Sequence, residues 1–398
     1  MALNRTTIGI DATCWWNNRG FGRFTRMLLG AMFADPRDVE FCLFVDRAPP
    51  PEMECANVRI VQVETSSTVT AAAVADGSRS LADLLAFRRA VARERLDVMY
   101  FPAVYSWYPT GGRAPVVITF HDAIAERFPS LVLPNLRGRM LWKAKIWLAR
   151  RSAAKITTVS AAARAEIAEH LGMKESQIAV ILEAPDPIFR PDNDVRARAE
   201  ARRRFGLPAD ARTIVYVGGF APHKNLLGFL HGLAAAADHP SLHDVHLVLV
   251  GDPEGDGFHS NTGELMALAA TDPRLLGRVH FTGYVSDEDL VTLYSDATVV
   301  AMPALSEGFG LPAAEAMACG TPVIATRGSA VEEVVGPAGL FFDPYDVGDI
   351  ADAIMQVFAD ERVLSRLRDM CLPQSSLLSW PKAAAAMLDL LISTAKTR

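Results

Sequence analysis

Short apolar runs rich in β-branched residues recur along the whole chain, and each is followed by a stretch with helical spacing. Runs of this length with helices between them are typical of parallel sheets covered by helices on both faces. The sequence therefore predicts an α/β fold. The expected strands are Ile8–Ile10, Phe41–Val45, Val58–Val63, Val98–Tyr100, Val116–Phe120, Ile156–Val159, Ile178–Ile181, Ile214–Val217, His246–Val250, Val279–Phe281, Thr298–Ala301, Val323–Ala325 and Leu340–Phe342.

A stretch rich in Pro and Asp, 183–193, divides these strands into two groups and is typical of a connection between domains. The length of 398 residues also favours two domains. We predict a Rossmann-like domain at 1–190, a linker at 191–212 and a second Rossmann-like domain at 213–378. A helix is expected within 379–398. Whether this helix crosses back to the first domain stays open.

Charge and cysteine content narrow the function classes. The chain has 40 basic and 46 acidic residues, so it lacks the positive field that bulk binding to nucleic acid requires. Its five cysteines are scattered without a CxxC pair, which favours a reducing compartment and no metal site. We see no signal-peptide core and no apolar run of about 18 residues, so a cytoplasmic protein is expected. Peripheral association with the inner face of a membrane stays open.

The segment 303–322 carries the strongest functional pattern. A glycine-rich loop, 307–310, follows a predicted strand and precedes a helix for which Pro312 suits the first position. Gly308 and Gly310 allow backbone to approach a ligand, and a helix start favours an anion such as a diphosphate. Glu307 and Glu315 could then hold sugar and ribose hydroxyls. An ordinary strand–loop–helix with two unrelated acids would show the same pattern.

This segment resembles the signature of the retaining glycosyltransferase family 4, the glycosyl transferases group 1, which has the GT-B architecture of two Rossmann-like domains with parallel sheets facing across a cleft. The resemblance extends over nearly the whole chain. It implies that the first domain, 1–190, is the acceptor side and that the second domain, 213–378, binds the nucleotide sugar. Within the family, the chain is most similar to the mannosyltransferase-like members of O-antigen and polysaccharide assembly. The matching segments are 19–25, Thr119–Asp122, Val159–Ser160 with the helix after it, Tyr216–Leu226, Phe281–Leu290, Ser306–Ala325 and Val331–Leu340.

The resemblance implies a catalytic set and a donor-binding set, with no cofactor and no essential metal. The nucleotide sugar is a cosubstrate. The catalytic residues implied are Glu307, His121 and Lys224. The donor-binding residues implied are Gly20, Gly22, Gly218, Gly219, Lys224, Tyr284, Glu307, Gly308, Phe309, Gly310, Leu311, Glu315 and Glu333.

Several positions also have plainer interpretations. His121 could be a hydrogen-bonded structural residue, Arg23 a solvated helix residue and Lys224 a mobile surface lysine. Lys224 is expected to open a helix, where a bound anion would offset its unfavourable position. Many family members carry Arg where this chain has Gly219, so one cation is missing, and His223 is predicted to replace it in part.

Three further expectations concern the acids beside the donor sugar, the base site and one basic helix. Glu333 is expected near the sugar, with Glu332 facing solvent, and Tyr284 is expected against the nucleotide base. The stretch Leu136–Arg151 combines six basic residues with Trp142 and Trp147. It could lie on a membrane surface, but its charges spread around the helix, so we favour a helix that covers the first domain.

The predicted reaction moves a sugar from a nucleotide-diphosphate donor to an acceptor hydroxyl, with retention at the anomeric carbon. GDP-mannose is favoured and a UDP sugar is the alternative. The acceptor would be a glycan, a lipid-linked molecule or a small molecule. Two rivals are an inactive GT-B partner subunit and a dinucleotide-dependent oxidoreductase. The second is disfavoured because Gly20-Phe-Gly22 does not extend to a full GxGxxG fingerprint.

Overall fold

The computed structural model of the protein describes residues 5–17, 20–65, 80–133, 135–252 and 260–396. Arg19 of the predicted N-terminal glycine loop lies outside them. The chain forms two compact units. The first comprises Met1–Pro129, Leu133–Glu183 and Ser379–Arg398, and the second comprises Ser130–Val132 and Ala184–Leu378.

The first unit contains a seven-stranded parallel sheet in the order β3-β2-β1-β4-β5-β6-β7. Its central strands are buried on both faces, as their uninterrupted apolar sequences require. The strands are β1 Thr6–Asp11, β2 Val39–Val45, β3 Val58–Gln62, β4 Val98–Phe101, β5 Val116–Thr119, β6 Ala153–Thr158 and β7 Ile178–Val180. The helices are α1 Gly20–Phe33, α2 Leu81–Arg93, α3 Ile124–Arg127, α4 Pro129–Val132, α5 Leu136–Ser152 and α6 Ala161–Leu171.

The second unit contains a six-stranded parallel sheet in the order β10-β9-β8-β11-β12-β13. Its strands are β8 Arg212–Val217, β9 Val245–Val250, β10 Val279–Gly283, β11 Val299–Met302, β12 Val323–Thr326 and β13 Gly339–Phe342. Its helices are α7 Val195–Arg204, α8 Leu226–Ala236, α9 Thr262–Thr271, α10 Asp287–Asp296, α11 Leu311–Ala318, α12 Ala330–Val335, α13 Val347–Ala359 and α14 Glu361–Ser375. The last helix of the chain, α15 Trp380–Lys396, packs on α1 of the first unit.

All thirteen predicted strands are present in the described part of the chain. The two predicted Rossmann-like sheets are therefore confirmed, and their ends differ from the predictions by a few residues. Within the described residues, no helix is long and apolar enough to cross a membrane.

The stretch 191–212, expected to be a linker, contains α7 and belongs to the second unit. Asp194 caps this helix by accepting hydrogen bonds from the backbone of Arg196 and Ala197. Arg202 pairs with Asp296 of α10 at 2.7 Å. Its guanidinium also donates to three carbonyls of the segment that leads into β8. These bonds fix the stretch against the second unit, whereas a free connection would have none.

Candidate functional site

Loops from two neighbouring strands meet at the carboxyl edge of the second sheet. β8 and β11 are parallel and adjacent, so the segments that follow them lie at the same edge. The backbone N–H of Leu305, after β11, donates to the carbonyl of His223, after β8, at 2.8 Å. This bond holds the loop that carries Lys224 beside the glycine-rich loop 307–310, the signature loop.

Lys224 and Glu307 form an ion pair between these loops. The Lys224 ammonium donates to Glu307 Oε1 at 2.7 Å. The two side chains are 20% and 14% exposed, so the pair is largely shielded from water yet reachable from one side. The structure thus brings together two residues that lie 83 positions apart and were both predicted as catalytic.

Lys224 does not open a helix, contrary to the expectation. It ends a short 3₁₀ turn, Pro222–Lys224, and α8 begins only at Leu226. Asn225 separates the two in a left-handed conformation with φ 54°, which Asn tolerates better than most residues. The side-chain amide of Asn225 donates to the carbonyl of Pro344 at 2.8 Å. The turn is therefore anchored, and the lysine stands before the helix instead of within its first turn.

His223 cannot supply the missing cation, so that prediction is corrected. Its ring is buried, and burial together with the charge of Lys224 lowers its pKa from the usual 6.5 to about 3. The imidazole is neutral at physiological pH. Sequence reasoning missed this because nothing in the local pattern reveals that the side chain turns inward while Lys224 turns toward Glu307.

The signature loop has the geometry of an anion seat. Gly310 has φ 91°, and a Cβ atom there would lie 2.7 Å from Val331 Cγ2, so only glycine fits. Helix α11 begins at Leu311, one residue earlier than predicted, so Pro312 occupies its second position. The positive end of the helix dipole lies at this point. The Phe309 side chain is buried and anchors the loop.

Glu315 lies inside α11 and is buried. Its Oε2 accepts a hydrogen bond from the Tyr294 hydroxyl of α10 at 3.3 Å. The structure therefore gives Glu315 a structural partner on α10, and its contact with the donor stays a prediction.

The remaining predicted donor residues of the second unit lie on neighbouring loops. Gly219, after β8, accepts a hydrogen bond from the Tyr216 hydroxyl at 2.6 Å, which fixes the turn that begins at Gly218. Tyr284, after β10, is 78% exposed, so its ring face is open for stacking. Glu333 on α12 is exposed. Glu332 was expected to face solvent, but it is only part-exposed and accepts a hydrogen bond from the backbone of Gly328.

His121 follows β5 in the first unit, and each of its ring nitrogens lies near an oxygen atom. Nε2 lies 2.9 Å from the carbonyl of Pro102, and because a carbonyl only accepts, Nε2 carries the proton. Nδ1 lies 3.4 Å from Glu183 Oε1, and the ring packs edge-on against Phe24. These contacts fit the structural interpretation of His121. The contact of Glu183 with His121 could not be predicted from local sequence patterns, because the two residues lie 62 positions apart along the chain.

Gly20 and Gly22 form the first turn of α1. A Cβ atom on Gly22 would lie 1.9 Å from the carbonyl oxygen of Asn17, so this glycine is required by backbone packing whether or not a ligand binds. Gly20 has open space around its Cα. In the described ranges, no group of three or more His, Cys, Asp or Glu side chains is arranged to hold a metal ion.

Comparisons with known proteins agree with this geometry. The sequence profile described as glycosyltransferase family 4 matches residues 19–186, and the one described as glycosyl transferases group 1 matches residues 197–371. A D-inositol 3-phosphate glycosyltransferase from Nocardioides sp. is 37% identical over 212 residues, which are 51% of this chain and 45% of that protein. The chain thus spans about half the length of the curated relatives it matches.

Solved structures share the fold over nearly the full length. Sucrose-phosphate synthase from Thermosynechococcus elongatus has a TM-score of 0.74 at 23% identity, covering 98% of this chain and 99% of that one. The Anabaena protein HepE, solved with UDP and glucose, has a TM-score of 0.72 at 18% identity, covering 98% and 100%. Two matching profiles, the parallel sheets and the signature loop lead to one conclusion: the chain belongs to glycosyltransferase family 4 and has the GT-B fold.

Proposed function

We propose that this chain transfers a sugar from a nucleotide-diphosphate donor to a hydroxyl group of an acceptor. The observation that carries the proposal is the shielded Lys224–Glu307 pair, 2.7 Å long, beside the glycine loop at the start of α11. The Lys224 ammonium and the start of α11 suit a diphosphate, and the Glu307 carboxylate suits sugar hydroxyls, so the three together suit a ligand that has both. An inactive partner subunit has no need to keep this combination.

In the proposed reaction the donor diphosphate lies against the backbone of the signature loop. It competes with Glu307 for the Lys224 ammonium, and the released carboxylate accepts hydrogen bonds from the sugar. As the bond between the anomeric carbon and the phosphate oxygen breaks, charge grows on the leaving phosphate. Lys224 and the helix dipole interact more strongly with that charge than with the bound donor, which lowers the barrier.

The configuration at the anomeric carbon is retained if the acceptor attacks from the same face from which the leaving group departs. The acceptor oxygen then forms the new bond to the anomeric carbon, and its proton passes to the leaving phosphate oxygen. No pair of carboxylates across the glycosidic bond is required, in contrast to glycosidases. Fixed dipoles and Lys224 stabilise the phosphate in this scheme, so we propose that transfer is independent of a divalent metal.

For the donor we propose GDP-mannose, with a UDP sugar as the alternative that the UDP complex of HepE suggests. Thermal-shift titration with GDP-mannose, UDP-glucose and NAD separates these cases, since a ligand at 100 times its Kd stabilises the fold by about 2.7 kcal/mol. A stabilising sugar nucleotide should then be consumed in the presence of EDTA. Stabilisation by NAD alone would contradict the proposal, and binding without turnover with any acceptor would favour the partner-subunit alternative.

The acceptor belongs to one of three classes, namely a glycan, a lipid-linked molecule or a small molecule. The curated relatives are named for D-inositol 3-phosphate, which makes a phosphorylated cyclic polyol the first small molecule to test. Nucleotide sugars and such acceptors meet in the cytoplasm, where we place the protein.

We propose in addition that α5 rests on an anionic membrane surface. Its inner face packs through Ile146 and Ala149, so it covers the first unit, as we favoured. Its outer face exposes large apolar side chains, and the helix has six basic and no acidic residues. The exposed apolar residues are Leu136, Met140, Leu141, Trp147 and Leu148.

Cosedimentation with vesicles tests this placement. The protein should bind phosphatidylglycerol vesicles, lose binding at high salt because the attraction is partly electrostatic, and ignore phosphatidylcholine. Met140→Glu should abolish binding without changing the melting temperature. Equal binding to both vesicle types, or full binding by that variant, would contradict it.

A further inference from the structure

A tyrosine in the interior of the second unit is bonded to one of the predicted donor residues. Tyr294 lies on α10, its side chain is fully buried, and its hydroxyl donates to Glu315 Oε2 at 3.3 Å. Glu315 lies on the neighbouring helix α11 and is itself buried. A carboxylate taken out of water needs hydrogen-bond donors, and a bonded carboxylate has a preferred direction. The Tyr294 hydroxyl thus restrains the orientation of Glu315.

Tyr294 is in turn held through both its ring and its backbone. Its ring packs edge-on against Phe189, with centroids 5.9 Å apart at 60°. Its carbonyl accepts a hydrogen bond from the hydroxyl of Thr321, which follows α11, at 2.5 Å. The backbone N–H of Thr321 donates to the carbonyl of Ala316 in α11 at 2.9 Å. Helix α10 is therefore fastened to α11 at Glu315 and again just past the end of α11, which gives the tyrosine hydroxyl a fixed place.

Glu315 lies one helical turn from the anion seat at the start of α11. It follows Leu311 by four positions, which corresponds to about 6 Å along the helix axis. Helical side chains lean toward the N-terminus of their helix, so Glu315 leans back toward the seat at Gly310. In a nucleoside diphosphate the ribose is joined directly to the phosphates. A carboxylate one turn from a bound diphosphate is therefore within reach of the ribose hydroxyls.

We propose that Tyr294 is a positioning residue of the donor site, whose hydroxyl orients the Glu315 carboxylate toward the 2′- and 3′-hydroxyls of the donor ribose. Tyr294 does not touch the donor in this scheme and acts through Glu315. The inference rests on the proposed transferase function. A tyrosine that only satisfied a buried acid would affect stability, whereas a positioning residue affects how well the protein distinguishes a ribose from a sugar without these hydroxyls.

Calorimetric titration of the full-length protein measures this distinction. The probes are GDP with 2′,3′-dideoxy-GDP and UDP with 2′,3′-dideoxy-UDP. Hydrogen bonds to a charged group are strong, so the unaltered protein should bind its ribonucleotide about tenfold or more tightly than the dideoxy analogue. Tyr294→Phe keeps the ring and loses the hydroxyl, and it should reduce this ratio to about threefold or less. Affinity for the analogue should stay within about twofold, because the diphosphate contacts are unchanged.

Two comparisons separate positioning from a general loss of stability. Tyr100→Phe removes another buried tyrosine hydroxyl, which bonds to Thr119 Oγ1 at 2.9 Å in the first unit, and should leave the ratio unchanged. In a Glu315→Ala background, Tyr294→Phe should have no further effect on nucleotide affinity, since its partner is already absent. In transfer assays Tyr294→Phe should raise the donor KM more than it lowers kcat, because the ribose is remote from the bond that breaks.

Failure of this inference differs from failure of the transferase proposal. If the unaltered protein bound neither ribonucleotide, the transferase proposal itself would be lost. If it bound one of them, that proposal would stand and the ratio would decide. Equal affinity of the unaltered protein for ribonucleotide and analogue, or a full ratio in Tyr294→Phe, would overturn the role of Tyr294. Independent, additive effects of Tyr294→Phe and Glu315→Ala would overturn it as well.

Discussion

At the scale of single residues, the Lys224–Glu307 pair decides how the donor is held. Because His223 is neutral and Gly219 has no side chain, neither of these two positions brings a positive charge to the phosphates. Lys224→Ala should lower kcat by about ten- to a hundredfold and change donor affinity less, since a charged hydrogen bond worth about 1.5–3 kcal/mol acts mainly on the charge that forms during reaction. Steady-state kinetics and nucleotide titration measure the two effects.

Lys382→Ala is the matched control, since Lys382 is an exposed lysine of α15. Unchanged kcat in Lys224→Ala would move the phosphate site elsewhere. The same assay checks the correction of His223: with a pKa of about 3, its titration should add no limb to the rate profile between about pH 5 and 8.

Glu126 gives a prediction about stability. Burial raises its pKa from 4.5 to about 7, so the folded state binds the proton more tightly than the unfolded state. The contribution of Glu126 to the free energy of unfolding therefore falls as the pH rises from about 4.5 through 7. The Gln side chain of Glu126→Gln cannot ionise, and its Oε1 can still accept the hydrogen bond that Trp142 Nε1 donates. The variant should be more stable than the unaltered protein by roughly 1–3 kcal/mol at pH 8 and about equal at pH 4.

Urea unfolding at the two pH values measures this difference. Glu200→Gln, at an exposed position of α7, is the matched control for the loss of a carboxylate. A constant difference across the pH range would mean that Glu126 titrates normally in the folded protein.

At the scale of elements, Gly310 sets where α11 begins. Gly310→Ala forces a Cβ atom against Val331 and a side chain into a left-handed conformation. We expect a loss of roughly 1–3 kcal/mol in stability and a larger loss of nucleotide affinity, because the loop that seats the diphosphate must shift. Gly263→Ala in α9, where the space is open, should be neutral. Equal nucleotide affinities in the two variants would show that the start of α11 does not bind phosphate.

The elements themselves could be predicted from sequence because buried parallel strands are short, apolar and bounded by turns. The local pattern after β11 was also enough to select the glycine-rich loop 307–310, Glu307 and Glu315 as candidates. What could not be predicted is which side chains meet. The Lys224–Glu307 pair, the inward turn of His223 and the contact of His121 with Glu183 depend on long-range packing. The stacked rings of Phe21, Tyr105 and Trp142 likewise come from three segments that share no local pattern.

At the scale of the whole molecule, the chain leaves the first unit at Glu183 and returns to it at Ser379. The returning helix α15 is part of the first unit's core: Met387, Leu388 and Leu391 are fully buried, and Arg37 near the end of α1 pairs with Asp389 at 3.2 Å. The first unit therefore becomes complete only when α15 has been synthesised. Its stability should respond to changes in α15 although the second unit intervenes in sequence.

Met387→Ala removes a buried side chain from this interface, and large-to-small changes in a core cost about 2–5 kcal/mol. We expect calorimetry to show a lower melting transition for the first unit, while the transition that a bound nucleotide raises stays in place because it belongs to the second unit. Asp389→Ala, on the exposed side of the same helix, breaks only a surface ion pair and should cost less than about 1 kcal/mol. If Met387→Ala instead lowered the nucleotide-sensitive transition, α15 would have to stabilise the second unit, and its assignment to the first would be wrong.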